Sequence, residues 1–137
     1  MKAKFITLEG IEGSGKTSSL KSITDLLDKK NISYVITREP GGSSIGKELR
    51  AILLDPETEI SPEVELMLML SDRKDHVEKI ILPNLKKGNW VVSDRFMDSS
   101  IAYQGGGRQL DKKLIISLTE HLNLPQPDLT LDRKSVV

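Results

Sequence analysis

Gly10-Ile11-Glu12-Gly13-Ser14-Gly15-Lys16-Thr17 fits the pattern G-x-x-x-x-G-K-[ST]. The glycines let the backbone bend so that several N–H groups face one anion, and a helix starting there adds its positive N-terminus. Lys16 supplies a charge for the β- and γ-phosphates of a nucleotide, and the Thr17 hydroxyl suits the shell of a Mg²⁺ ion. A chance match at all four fixed positions should arise in under about 1% of chains of this size. The loop Gly10, Ile11, Glu12, Gly13, Ser14, Gly15, Lys16 and Thr17 is therefore read as a nucleotide-phosphate site.

The flanking sequence supplies the context such a loop needs. Phe5 to Leu8 is a short run of strand formers closed by Glu9-Gly10, and Lys16 to Lys30 places Leu20, Ile23, Leu26 and Leu27 at helical spacing. Tyr34-Val35-Ile36-Thr37 reads as a second strand ended by Pro40-Gly41-Gly42, and Ile45, Leu49, Ile52 and Leu53 mark a short helix. Ser61-Pro62 is a helix start, Ser as N-cap and Pro in the first turn. That helix is expected to run towards Leu82, where Pro83 bends or ends it. Trp90-Val91-Val92-Ser93 is a third strand, Asp111 to Leu122 a further helix capped by Asp111, and Leu129-Thr130-Leu131 a fourth strand. This alternation predicts an α/β fold, a parallel sheet covered by helices. No repeat or linker divides the chain, and Gly105-Gly106-Gly107 is too short for a linker, so residues 1–137 are expected to form one domain.

Composition narrows the chemistry. The chain has 137 residues, 20 basic and 20 acidic, with formal net charge zero. That length can bury roughly 68% of the unfolded surface without staples. A strongly basic nucleic-acid binder is disfavoured. Cysteine is absent, which excludes a disulfide scaffold, a thiol nucleophile and a Cys-based metal site. No run approaches 18 apolar residues, so no membrane span is expected, and Glu9 interrupts the short apolar N-terminal run before it could serve as a signal peptide. The expected compartment is the cytoplasm. His76 and His121 read as ordinary helix-surface residues.

Strand three ends in Asp94, an acid where a nucleotide-bound metal would need one, so Thr17 and Asp94 are the candidate metal ligands. Arg38 follows strand two and Arg95 follows strand three. In a parallel sheet the carboxyl ends of the strands face the ligand. Both arginines should therefore point into the crevice of the phosphate loop, where Arg is suited to bidentate phosphate contacts. For any single Arg a solvated surface charge is the usual alternative; a pair at strand ends weakens it.

Beyond the loop, several segments carry a resemblance: Leu8-Glu9-Gly10, Thr37-Arg38-Glu39-Pro40-Gly41-Gly42, Asp94-Arg95, Ser99-Ser100-Ile101-Ala102-Tyr103-Gln104-Gly105 and Pro127-Asp128-Leu129-Thr130-Leu131. Together they resemble the thymidylate kinases, nucleoside monophosphate kinases of the P-loop NTPase type, from Phe5 to about Leu131. The resemblance implies a three-layer sandwich and transfer of the ATP γ-phosphate to dTMP, giving dTDP, with Mg²⁺. It implies that Arg38, Arg50 and Arg95 hold the dTMP phosphate, and with Lys16 it makes Arg38 and Arg95 the catalytic candidates. By the same resemblance Arg73 reaches a thymine carbonyl, Ser100 and Gln104 read the thymine edge, Tyr103 lies near the deoxyribose, and Glu12 lies near the sugar and metal. Family members are typically homodimers packed through helices.

The chain departs from the family pattern in places. Met69 stands where a Phe usually stacks on thymine, and its thioether still gives a polarizable contact. Ile11, Glu12, Gly13 and Ser14 include no basic residue, and members of this type take catalytic arginines from a lid near the C-terminus. After Leu131 the sequence Asp132-Arg133-Lys134-Ser135-Val136-Val137 does not resemble that lid. The alternative expectation is therefore a truncated nucleotide-binding fragment with weak or no turnover, since transition-state arginines are worth on the order of 10³–10⁵ in rate.

Overall fold

The computed structural model describes residues 2–9, 16–95 and 112–132. In chain order the elements are β1 (Phe5–Glu9), α1 (Lys16–Lys29), β2 (Tyr34–Arg38), α2 (Ser44–Leu54) and α3 (Pro62–His76). A π-helical turn (Val77–Ile81), α4 (Leu82–Lys86), β3 (Trp90–Asp94), α5 (Lys112–His121) and β4 (Leu129–Asp132) follow. The strands form one parallel sheet in the order β2-β3-β1-β4.

Alternation along β1 divides the molecule into layers. Phe5 and Val91 face one side, where they pack with Val77, Ile81 and Leu124. Leu8 and Val92 face the other, against Leu27 with Leu20 and Ile23 of α1. α5 then packs onto α3 through Ile115, Leu66 and Leu70. β1 is buried along its whole length, as expected for a central strand with helices on both faces.

The caps follow the sequence. The Ser61 Oγ accepts the Val64 N–H at 3.2 Å, with Pro62 in the first turn of α3. Ser43 caps α2 the same way, accepting from Gly46 N at 3.2 Å. Each cap contributes about 1 kcal/mol. The helical path continues past Pro83 to Lys86. The π turn places the Leu82 N–H on the Val77 carbonyl, and the Asn84 amide donates to the Ile80 carbonyl at 2.8 Å. The wider turn accommodates the ring and missing N–H of Pro83, so the proline does not end the helix. Asp111 and residues 105–107 lie outside the described residues. No helix among the described residues is long and apolar enough to cross a membrane.

The sheet order creates the crevice. The chain leaves β1 for β2 on one side and crosses from β3 to β4 on the other. The switch point lies at β1, where open α/β sheets bind ligands beyond the strand carboxyl ends. Register aligns those ends: Asp94 lies opposite Leu8 on one side and Arg38 on the other.

Candidate active site

β1 and α1 flank residues 10–15 as strand and helix. Gly10, Ile11, Glu12, Gly13, Ser14 and Gly15 themselves lie outside the described residues, as do Ser100, Tyr103 and Gln104. Lys16 and Thr17 open α1, and their side chains also lie outside the description.

The acceptor side is described in full for the arginines. Arg38, Glu39, Pro40, Arg50, Leu54, Asp94 and Arg95 line one cavity of about 430 Å³. Residues from the ends of β2 and β3 and from α2, far apart in sequence, thus face a common volume. Arg38 is exposed at the end of β2, and Arg50 and Arg95 are half-buried. The Arg50 Nη1 donates to the Pro40 carbonyl at 2.8 Å, which fixes the guanidinium with one of its five N–H donors. Gly41, at φ 103°, permits this approach: a Cβ there would lie 2.9 Å from Arg50 Cδ.

Arg95 has a φ of 74°, a left-handed conformation that costs a non-glycine residue roughly 1–2 kcal/mol. The Arg95 N–H donates to the Leu8 carbonyl at 2.8 Å, and the Ser93 hydroxyl donates to the Arg95 carbonyl at 2.9 Å. These bonds hold the strained turn that brings Arg95 to the cavity. Strain held by surrounding structure is common at ligand sites. The Glu39 N–H donates to the Asp94 carbonyl at 3.0 Å, which joins the two arginine-bearing strand ends.

Arg73 sits behind this cavity and is 1% exposed. Its Nε donates to Glu39 Oε1 at 2.7 Å. Met69, one turn earlier on α3, is half-buried, and neither residue lines the cavity. Glu39 takes a second contact from His76, whose Nδ1 lies 2.8 Å from Oε2. With its charge countered by Arg73, Glu39 leaves the cavity's arginines in excess of Asp94, which suits a dianionic phosphate.

His76 corrects the sequence reading. It is not a surface residue: it is 0% exposed, 2.5 Å from the Thr37 hydroxyl through Nε2. His121 is exposed, as read. Asp72 is also buried and accepts the Gly41 N–H at 3.1 Å. Burial pushes its carboxyl up to about 6, with Glu39 adding to the shift and the Gly41 N–H opposing it. Sequence reasoning missed this polar cluster. The available signal was the spacing of Asp72, Arg73 and His76, which puts three ionisable groups on adjoining positions of one helix face.

The family model for thymidylate kinase matches residues 8–132. The thymidylate kinase of Carboxydothermus hydrogenoformans is 48% identical over 97% of this chain and 71% of its own length. That of Nitrosomonas europaea is 46% identical over 95% of this chain and 61% of its own, and that of Prochlorococcus marinus 51% over 86% and 59%. The chain therefore spans about three fifths to seven tenths of these relatives. The crystal structure of the Ehrlichia chaffeensis thymidylate kinase superposes with a TM-score of 0.88 at 37% identity, covering 98% of this chain and 74% of that one.

Proposed function

The chain belongs to the thymidylate kinase family, and from that premise we propose that it transfers the γ-phosphate of ATP to dTMP, giving dTDP. The observation that carries the proposal is the convergence of Arg38, Arg50 and Arg95 on one cavity at the strand carboxyl ends. Both reacting groups are anions, so the work of the protein is positioning and charge neutralisation. Arg38, Arg50 and Arg95 hold the acceptor phosphate and aim one of its oxygens at the γ-phosphorus. Lys16 and the backbone of residues 10–15 hold the donor phosphates. The acceptor oxygen needs no strong base, because a phosphate monoester is largely ionised near neutrality.

Asp94 lines the cavity with a carboxylate, the hard oxygen donor that Mg²⁺ prefers, so the donor set fits that ion. Asp94 and Thr17 would hold it, and when bound it neutralises phosphate charge. Arg73, buried behind the cavity against Glu39, and Met69 are assigned to the base by the family resemblance rather than by the cavity lining, as are Ser100, Tyr103, Gln104 and Glu12. The exposed Val64 and Met67 on α3 support a homodimer packed through that helix. The proposed compartment is the cytoplasm.

A coupled assay of the purified chain with ATP and a panel of nucleoside monophosphates tests the reading. We expect dTDP formation with dTMP preferred. Preference for another monophosphate overturns the substrate, and dTMP binding without turnover overturns the catalytic assignment for this chain.

A further inference from the structure

Behind the arginine-lined cavity lies a buried polar cluster to which the phosphate chemistry assigns no task. It joins the end of β2, the turn after it and α3. The His76 ring touches Thr37 through Nε2 and Glu39 through Nδ1, and Arg73 takes the other Glu39 oxygen. The turn lies against the same ring: a Cβ on Gly42 would come within 2.6 Å of it.

The protonation pattern follows from the partners. Glu39 Oε1 takes the Arg73 Nε–H, the pairing of a guanidinium with a carboxylate, and a carboxylate oxygen only accepts. His76 Nδ1 therefore carries the proton that faces Oε2, and Nε2 shares a hydrogen bond with the Thr37 hydroxyl. A leucine at position 76 would fill similar space without burying a polar ring. It would also leave Glu39 Oε2 without this donor, and a carboxylate gripped at one oxygen can rotate. The histidine thus fixes the plane of the carboxylate, and that plane sets where the Arg73 guanidinium points.

We infer that His76 is a positioning residue: through its Nδ1–H it orients Glu39, and Glu39 in turn sets Arg73 and the turn that carries Arg38 and Pro40. The value of this placement for the acceptor rests on the dTMP reading above.

Two substitutions separate the ring's two contacts. In His76→Asn the side-chain amide nitrogen can occupy the place of Nδ1 and keep the donation to Glu39. In His76→Gln the amide reaches the place of Nε2 and abandons Glu39. Two readouts are taken on each folded chain: dTMP affinity by calorimetry, and hydrogen exchange of the Arg73 Nε–H by NMR. We expect a slowly exchanging Arg73 Nε–H in the unmutated chain. His76→Asn should stay within about threefold of that chain in both readouts, and His76→Gln should lose about tenfold in each, the scale of one hydrogen bond to a charged group.

If both variants shift alike, or neither shifts, His76 only fills space and the inference falls. An Arg73 Nε–H that exchanges as fast as exposed arginines in the unmutated chain overturns it without any variant. If the unmutated chain prefers another monophosphate, the dTMP reading fails by itself. The exchange data then decide the positioning role alone: protection in His76→Asn and its loss in His76→Gln uphold it, and equal behaviour refutes it.

Discussion

Replacing Glu39 by Gln removes one charge from a buried pair and leaves the other in place. Arg73 and Glu39 are 1% and 5% exposed and 2.7 Å apart. Their mutual attraction therefore offsets a desolvation cost of several kcal/mol per ion. Removing one partner of such a pair costs about 3–5 kcal/mol, a large share of the ~5–15 kcal/mol that holds a domain folded. With a urea slope of about 2 kcal/mol per M, Glu39→Gln should lower the unfolding midpoint by about 2 M. Arg73→Met should cost a similar amount, since Glu39 would then stay buried beside His76 alone. The combination Glu39→Leu with Arg73→Met removes both charges, and such replacements are often neutral. The pair of changes should therefore cost at least about 2 kcal/mol less than the sum of Glu39→Leu and Arg73→Met made singly. Urea titration followed by circular dichroism gives all the midpoints. Additive costs would mean that the two charges do not stabilise each other, and the account of the buried cluster would be wrong.

Other positions give separate tests. Gly42→Ala puts a Cβ 2.5 Å from the Arg38 carbonyl, which is backbone and cannot yield, so we expect about 1–3 kcal/mol lower stability by thermal unfolding and weaker dTMP binding. Arg95→Gly removes the cost of a positive φ and should raise stability by about 1 kcal/mol, while dTMP affinity by calorimetry falls at least about tenfold through the lost guanidinium. The Asp72 carboxyl titrates higher folded than unfolded, about 6 against 3.8. Its contribution to stability is therefore fully present below the unfolded value and is lost as pH rises through about 6. Asp72→Asn should accordingly gain stability relative to the unmutated chain as pH rises from about 4 to about 7, and an unchanged difference across that range in urea titrations would refute the assignment.

Much of the architecture was legible without coordinates. The strands are short apolar runs, and α2 and α3 start at local serine caps, so adjoining residues determine these elements. β1 reads as buried because Phe5, Ile6 and Leu8 leave no polar face, and Ser61-Pro62 reads as a helix start because both residues act on the turn they belong to. The motif at residues 10–17 and the strand-end positions of Arg38, Asp94 and Arg95 were visible for the same reason. Pro83 was harder: its effect depends on whether the preceding turn can widen, and the π turn at Val77–Ile81 shows that it does.

The tertiary structure alone decided the strand order β2-β3-β1-β4 and, through it, which strand ends share a cavity. No local propensity encodes which strand lies next to which, because that choice depends on long-range packing and crossovers. It also decided the fate of His76. On α3 the buried positions include Asp72, Arg73 and His76 along with Leu66 and Leu70, so the face that enters the core is only partly apolar. A pattern reading assigns charged helix positions to water, since an isolated charge is costly to bury. Here the turn carrying Glu39 folds onto that face and supplies the partner that makes burial tolerable, and only the folded chain brings residue 39 to residues 73 and 76.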